Sequence, residues 1–476
     1  MKLTRLLCML LCGMLLLSSC GTDKPAGSSA PDGNDSSSVS DPAVVTTTTT
    51  ENGGEQNATT STLQSDISGL TTKTTVKDGL SSTQSNMTTT TKTNKTTAPT
   101  KGENNVDIPD YDPELYTRYF WEGNTVYYES VGFVETRPGK IASGKLLYTP
   151  TKVISVKSHD LSYTYKEGID YVVEGNTIRR TEKSAIPYCD YDTYMPAYKN
   201  GTTDWLVSAT DQSRYVGLNS DIRQYQVMVT YEHKGTWNGT KPTTQAKKLP
   251  RTMTKLKNKQ ALKIVYYGDS ITAGFEASGV NELVLNKDTL QEYRYQSDQA
   301  PYMPAWATLV YSRLSVLFDH NAITKVNRGA GGADSNWGVA NAGLVAAQNP
   351  DLVVIGFGMN EVGKADLTFK ENVRKIIDTV RAKNAKADIL LVSCMLPNED
   401  AAAFAGHNLA GHEGVLYELA NELSGVAVAP VYSVFKTLAD NGKLYTDYTG
   451  NNLNHPNDFA IRVYAQTILA TLEWPN

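Results

Sequence analysis

The hydrophobic pattern divides this chain into stretches of different character. Residues 6–17 form a short apolar run behind the basic residues Lys2 and Arg5. Residues 20–105 are rich in Thr, Ser, Gly and Asn, and their sparse apolar positions show no period. Beyond residue 107, apolar side chains recur with the spacing of regular structure. The pattern therefore predicts an export signal, a disordered stalk and a long folded part.

Between residues 107 and 250, short β-type runs alternate with turn residues. The runs occupy residues 125–128, 152–156, 170–173, 177–180 and 225–231. Strands at such short spacing predict a β-sandwich domain. The many Tyr side chains of this stretch suit either the packing of a sheet or stacking on sugar rings. A Lys/Thr-rich stretch at residues 243–259 would link this domain to the next.

Residues 260–476 alternate buried strands with amphipathic helices. Val373, Ile376 and Val380 share one face of a helix predicted over residues 370–383, and an apolar strand follows at residues 389–392. A closing helix is predicted over residues 458–472. Strands and helices in alternation indicate an α/β domain whose parallel sheet is covered by helices on both faces.

Four short polar segments stand at the ends of apolar runs in this second domain. They are Gly268-Asp269-Ser270, residues 327–332, Gly358-Met359-Asn360-Glu361 and His455-Pro456-Asn457-Asp458. Ser270 would follow a buried strand, at the sheet edge where α/β proteins bind ligands. A serine there is exposed, and its backbone N–H can help to bind an oxyanion. Alternatively, Ser270 is an N-cap without chemistry.

In this order, the four segments resemble the blocks of the SGNH (GDSL-like) hydrolase family. The resemblance spans about residues 262–474 and implies an SGNH-type parallel sheet flanked by helices. It further implies that Ser270 is the nucleophile and His455 the base. The backbone N–H groups of Ser270 and Gly332 and the amide of Asn360 would bind the oxyanion. Such chemistry needs no cofactor, and the histidines show no zinc-binding spacing.

The fourth block departs from the family pattern. It usually reads Asp-x-x-His, but Asn452 stands in the Asp position here. In a triad, replacing that acid by an amide costs about 10⁴-fold in turnover. Carbohydrate esterase family 2, which this chain resembles, uses a Ser-His dyad in which a backbone carbonyl accepts the His Nδ1–H. Asp447 is a rival orienting group for His455. Glu361 replaces the Asp of the third block, a milder change.

The same resemblance bears on substrate contacts. Family 2 esterases carry a jelly-roll-like domain before the hydrolase domain, which agrees with the sandwich predicted for residues 107–250. Trp306 and Trp337 lie near the first two blocks and are candidates for substrate binding. Packing explains these two indole rings equally well.

The N-terminal segment Leu17-Ser18-Ser19-Cys20 resembles a bacterial lipobox. The resemblance implies that a signal peptide, residues 1–19, is removed and that Cys20 is lipidated. Acyl chains would then anchor the protein at the cell surface, with residues 20–105 as a stalk. A plain secretory signal or a membrane-spanning helix is the alternative, although the apolar run is short for a span.

Charge and cysteine content narrow the function classes further. The net charge is −5, and no basic stripe suggests a nucleic-acid partner. Of five cysteines, only Cys189 and Cys394 lie beyond the stalk, so a disulfide is not the default expectation. The leading hypothesis is an extracellular esterase that removes O-acetyl groups from polysaccharide. A lysophospholipase or thioesterase on the same site, and a non-catalytic carbohydrate-binding lipoprotein, are the alternatives.

Overall fold

The N-terminal strands form two antiparallel sheets. The computed structural model describes residues 113–140, 142–199, 206–217 and 219–473. The elements are helix α1 (Pro113–Tyr116), strands β1 (Thr125–Gly132), β2 (Ser143–Lys145), β3 (Pro150–Ser158), β4 (Thr164–Tyr165), β5 (Tyr171–Glu174) and β6 (Thr177–Arg180), helix α2 (Tyr191–Tyr194), a 3₁₀ turn (Asn219–Tyr225) and strand β7 (Gln226–His233). One sheet has the order β1-β7-β3-β4 and the other β2-β6-β5. Each predicted β-run overlaps one of these strands.

The two sheets share a core. Gly144 of β2 lies so close to Val131 of β1 that no Cβ would fit between them. Fully buried apolar side chains come from both sheets and their connections: Val131, Phe133, Leu146, Ile178 and Val229. The jelly-roll-like arrangement of these strands stays a prediction.

The stretch predicted as a linker contains helical structure. A 3₁₀ turn (Ala246–Lys248) leads into helix α3 (Pro250–Lys257), with Pro250 at its favoured first position. Met253 and Leu256, three residues apart, turn one face of α3 into the core. The lysines and threonines around them mask this short apolar stripe in the sequence.

The C-terminal part contains the predicted parallel sheet. Its elements in chain order are β8 (Leu262–Gly268), α4 (Ser270–Ala273), β9 (Asn281–Leu285), β10 (Glu292–Gln296), α5 (Trp306–Leu317), β11 (Ile323–Gly329), α6 (Ser335–Ala346), β12 (Leu352–Gly356), α7 (Asp366–Lys383), β13 (Asp388–Val392), α8 (Leu409–Glu422), β14 (Val426–Ala429), α9 (Val431–Asp440), α10 (Tyr445–Tyr448) and α11 (Asp458–Leu472). Five parallel strands pair in the order β11-β8-β12-β13-β14, and β9 and β10 form a separate hairpin.

Alternating side chains of β8 enter two different cores. Ile264 and Tyr266 belong to the core that includes α5 and α11. Val265 and Tyr267 belong to the core that includes α6, α7 and α8. A strand with both faces buried reads as a continuous apolar run, which is the pattern of β8. The α/β prediction, with helices on both faces of a parallel sheet, is therefore confirmed.

The strand order creates a crevice beside β8. The chain passes from β8 to β11 on one side and then crosses to β12 on the other, which makes this a topological switch point. Gly268, Gly329 and Gly356 pair in register, so β8, β11 and β12 end together. Segments that leave these three strands therefore meet at one edge.

Three predictions concern the N-terminal hundred residues. The signal peptide at 1–19, the lipidation site Cys20 and the stalk at 20–105 lie outside the described residues. Within the part that the structure describes, no helix has the length and apolar character to cross a membrane. The described residues belong to one compact unit, and the domain limits at 107–250 and 260–476 stay predictions.

Candidate active site

Ser270 is placed by a tight strand-to-helix turn. Gly268 lies against the Gly356 carbonyl and the Thr272 hydroxyl, so a Cβ at this position would collide with both. Asp269 caps α4, and its carboxylate accepts the Ile271 N–H at 2.9 Å. Burial raises the pKa of Asp269 to about 7. The turn thus holds Ser270 at the carboxyl edge of β8.

His455 meets Ser270 across the sheet edge. Its Nε2 lies 2.8 Å from Ser270 Oγ, although 185 positions separate the two residues. The Phe275 ring packs edge-on against the imidazole, with 5.5 Å between ring centroids. Burial, followed by the positive charge of Arg223, lowers the pKa of His455 to about 4. The imidazole is therefore neutral at physiological pH, as a general base must be.

The predicted oxyanion donors follow the two neighbouring strands. Gly332 comes after β11 and adopts φ +72°, and Asn360 comes after β12. The Asn360 amide donates one N–H to the Ala333 carbonyl at 2.9 Å, and an amide nitrogen carries a second N–H. Ser270 is the first residue of α4, where the backbone N–H has no acceptor within the helix. Because the strands end together, Gly332 and Asn360 follow the same sheet edge as Ser270, the third predicted donor.

The far side of the imidazole faces a residue that sequence reasoning missed. Asn451 Nδ2 lies 3.0 Å from His455 Nδ1. Asn451 Oδ1 accepts the backbone N–H groups of Leu453, Asn454 and His455, each at 3.0 Å. These three bonds hold the oxygen in the turn and leave the nitrogen beside the ring. Asn is common in turns because its side chain can accept hydrogen bonds from the N–H groups that follow it. An Asn in the loop before His455 was therefore the only signal that the sequence offered for this role.

The two residues proposed from the sequence to orient His455 point elsewhere. Asn452 adopts φ +61°, which turns its side chain towards the Gly217 carbonyl, to which it donates at 2.8 Å. Asp447 accepts the N–H groups of Gly132 and Leu444, both at 2.7 Å. The structure therefore assigns the place beside Nδ1 to Asn451, and not to Asn452, Asp447 or a backbone carbonyl.

The structure shows what the aromatic side chains near the site contact. Trp306 is only 1% exposed and donates its indole N–H to the Ile271 carbonyl, so it supports α4 from the core. Trp337 is half-buried and donates to the Lys287 carbonyl. Phe275 and Tyr295 stack with 4.2 Å between ring centroids, and Phe275 touches His455. Tyr295 reaches Phe275 because the β9–β10 hairpin folds back beside the site, and no sequence motif predicted this hairpin.

The loop that carries His455 rests on the N-terminal sheet. Lys443, with its side chain fully buried, donates to Glu129 at 2.9 Å and to the Ser130 carbonyl at 2.6 Å. Asn457 donates to Ser130 Oγ at 3.1 Å. Both ends of this segment are thus fixed to β1. We call residues 443–457 the histidine loop.

Two of the other histidines lie together in the interior. His407 and His412 are buried side by side, with 5.5 Å between ring centroids. In the described ranges, no three His, Cys, Asp or Glu side chains come together as ligands for a metal ion.

Comparison with known proteins gives a family match for this region. Residues 266–460 match the GDSL-like Lipase/Acylhydrolase family. No curated protein matches the chain. A solved lipolytic protein of the G-D-S-L family from Veillonella parvula DSM 2008 is similar, at 18% identity over 44% of this chain and 97% of that chain, with a TM-score of 0.32. A catalytic mutant of Axe2, an acetylxylan esterase from Geobacillus stearothermophilus, is similar at 17% identity over 45% and 95%, with a TM-score of 0.34.

The matched residues include the whole candidate site. Ser270, Gly332, Asn360 and His455 all lie within residues 266–460, in the order that the SGNH blocks require. The family match and the meeting of Ser270 with His455 together support the assignment of this part of the chain to the GDSL-like lipase/acylhydrolase (SGNH) family.

Proposed function

We propose that this protein is a serine esterase that removes O-acetyl groups from polysaccharide. The observation that carries the proposal is the 2.8 Å contact between Ser270 Oγ and His455 Nε2. A serine hydroxyl is a weak nucleophile at its ordinary pKa, and a neutral imidazole within hydrogen-bond reach is the group that activates it.

The reaction would proceed by two acyl transfers. Ser270 Oγ adds to the ester carbonyl while His455 Nε2 takes the hydroxyl proton. The N–H groups of Ser270, Gly332 and Asn360 stabilise the oxyanion. Collapse of the tetrahedral intermediate expels the sugar oxygen, which takes the proton from His455 and leaves an acetyl ester on Ser270. Water, deprotonated by His455, then repeats the addition and releases acetate.

A cavity lined by both polar and apolar side chains supports a carbohydrate substrate. It has a volume of about 290 Å³ and lies where the N-terminal sheets meet the histidine loop. Its lining carries hydrogen-bonding side chains from both parts: His159, Arg223, Gln226, Gln299, Asn457 and Asp458. Among the described residues, the buried Arg223 Nε has no hydrogen-bond partner. Charged and amide groups beside the apolar Met228 and Ala300 suit a sugar ring, which presents hydroxyls at its edge and C–H groups on its faces.

We further propose that the enzyme acts outside the cytoplasm, anchored through lipid on Cys20. The support is the basic and apolar start of the chain and the lipobox-like segment that ends at Cys20. The Thr/Ser-rich stretch that follows would give the enzyme reach towards a surface polymer.

Acetate release tests the proposal. Acetylated xylan, mannan and bacterial exopolysaccharide would be incubated with wild type and Ser270→Ala, beside p-nitrophenyl esters of acetate and of a long fatty acid. We expect release from at least one glycan, preference for the acetyl ester and loss of both in Ser270→Ala. Preference for the long acyl chain would replace this proposal with a lipid-directed enzyme, and an unchanged rate in Ser270→Ala would remove catalysis at this site.

The cavity has its own test within the same assay. Gln299, at the exposed rim, would be changed to Ala. We expect a higher KM for acetylated oligosaccharide and an unchanged KM for p-nitrophenyl acetate, which has no sugar ring to place in the cavity. Equal changes for both substrates would exclude the cavity as a sugar subsite.

A further inference from the structure

The histidine loop contains a place for a third catalytic partner, and an amide occupies it. We propose that position 451 controls which nitrogen of His455 carries the proton, and that Asn451 holds the imidazole in the less reactive form. The inference rests on the proposed esterase function and deepens it, because it names the residue that limits the strength of the base.

The direction of the Asn451 amide follows from its hydrogen bonds. Oδ1 accepts three backbone N–H groups, a role that only the oxygen can play. Nδ2 lies 3.1 Å from Asn454 Oδ1 and 3.0 Å from His455 Nδ1, so its two hydrogens have one acceptor each. Turning the amide over would break the three backbone bonds. The nitrogen therefore faces the ring as a donor.

A donor beside Nδ1 dictates the tautomer of His455. Nδ1 must offer its lone pair, so the single proton of the neutral ring sits on Nε2 and points at Ser270 Oγ. A general base at Nε2 needs the opposite tautomer. The imidazolium formed after proton transfer would also place an Nδ1–H against the amide N–H. Asn451 thus opposes both species that catalysis requires.

In the described parts of the chain, no charged group that acts on His455 stabilises the imidazolium in place of the carboxylate that a triad would supply. Arg223 disfavours the imidazolium, and its own carboxylate partner is Glu276. Tyr295 of β10 stacks on Phe275, and the Phe275 ring packs edge-on against the imidazole.

A carboxylate at position 451 would reverse the arrangement. One oxygen of the new side chain in Asn451→Asp would keep the three backbone N–H bonds, and the other would accept the His455 Nδ1–H. The Asn454 amide can turn over to donate to it. Since changing the acid of a triad to an amide costs about 10⁴-fold, the reverse change should raise kcat by about tenfold or more.

Asn452→Asp is the matched control. It restores the Asp-x-x-His pattern in sequence, but Asn452 donates to the Gly217 carbonyl and not to the imidazole. We expect no gain from it. Ser270→Ala combined with Asn451→Asp should abolish the gain, which would show that the added turnover passes through Ser270.

The test combines kinetics with nitrogen NMR of the imidazole. We expect the Nε2–H tautomer in wild type, and an Nδ1–H with a far-downfield proton signal in Asn451→Asp. The acid limb of the kcat/KM profile should move to higher pH with the rise in kcat. A wild-type ring protonated on Nδ1, a folded Asn451→Asp without gain, or a gain in Asn452→Asp would each overturn the inference. If no ester is cleaved at all, the esterase proposal fails, and the NMR result still decides the tautomer.

Discussion

The two halves of the candidate site are built by different means. Ser270 and the oxyanion donors are placed by main-chain register, because β8, β11 and β12 end together at one sheet edge. His455 is placed by side chains. Asn451 contacts it within the histidine loop, and Lys443 and Asn457 of the same loop donate hydrogen bonds to residues of β1. The serine half thus belongs to the parallel sheet, whereas the histidine half depends on the N-terminal sheets. The N-terminal strands are therefore part of the catalytic scaffold, although all four sequence blocks lie outside them.

The largest effect should come from Ser270→Ala, which removes the nucleophile from the serine half. We expect kcat for p-nitrophenyl acetate to fall by about 10⁴-fold or more, with the melting temperature nearly unchanged. His455→Ala should give a similar loss, since the two groups act as a unit. A loss below tenfold in either variant would show that Ser270 and His455 do not act together as nucleophile and base.

Lys443→Met tests the dependence of the histidine half on β1. The change leaves Glu129 buried without its partner, because both side chains are fully buried in the pair. Breaking such a pair typically costs roughly 3–5 kcal/mol in unfolding free energy. Urea denaturation should show this loss, and kcat should fall with it. Lys436→Met, which breaks the exposed pair with Asp440, is the control and should change little.

Asn360→Ala tests the serine half without disturbing the fold. Loss of one oxyanion donor should lower kcat by roughly 10²–10³-fold and leave KM nearly constant. Steady-state kinetics with p-nitrophenyl acetate measure both constants. A matching loss of stability would instead show that the bond to Ala333 is the main role of this amide.

The pH dependence of kcat/KM reports on the base. Because burial and Arg223 lower the pKa of His455 to about 4, the base stays neutral until the pH falls to that value. Activity should therefore persist at pH 5 and decline as the pH falls through about 4. Arg223→Met should move this limb to higher pH. An acid limb near the ordinary His value of about 6.5 in wild type would contradict the lowered pKa of this imidazole.

Asn452→Ala should have the smallest effect. Its amide contacts Gly217, so we expect acetate release to fall by less than about tenfold. The left-handed backbone at this position favours Asn, so a small decrease in melting temperature should accompany the change. A loss as large as that of His455→Ala would return Asn452 to the catalytic group.

The sequence predicted the serine half better than the histidine half, for a physical reason. The ends of β8, β11 and β12 follow from apolar runs and glycines, which are local signals. Which side chain lies beside His455 Nδ1 depends on the backbone conformation of a single residue, Asn452. Because Asn452 takes the left-handed conformation, its side chain turns away and the preceding Asn451 takes the position. The Asp-x-x-His spacing selects Asn452, and nothing in the sequence reveals the left-handed backbone that puts Asn451 in this place instead.

Contacts between segments far apart in the chain could not be predicted from the sequence either. The β9–β10 hairpin brings Tyr295 to Phe275, and Trp306 enters the core beneath α4. An aromatic residue near a motif has no preference between a core and a binding site until the fold is known.

The most direct measurement is the site of covalent reaction with a serine-directed phosphonate ester. Mass spectrometry of digested protein should find the adduct on Ser270 in wild type and in Asn452→Ala, and no adduct on this residue in His455→Ala. Labelling of a different residue, or undiminished labelling of Ser270 in His455→Ala, would contradict the claim that these two side chains form one catalytic unit.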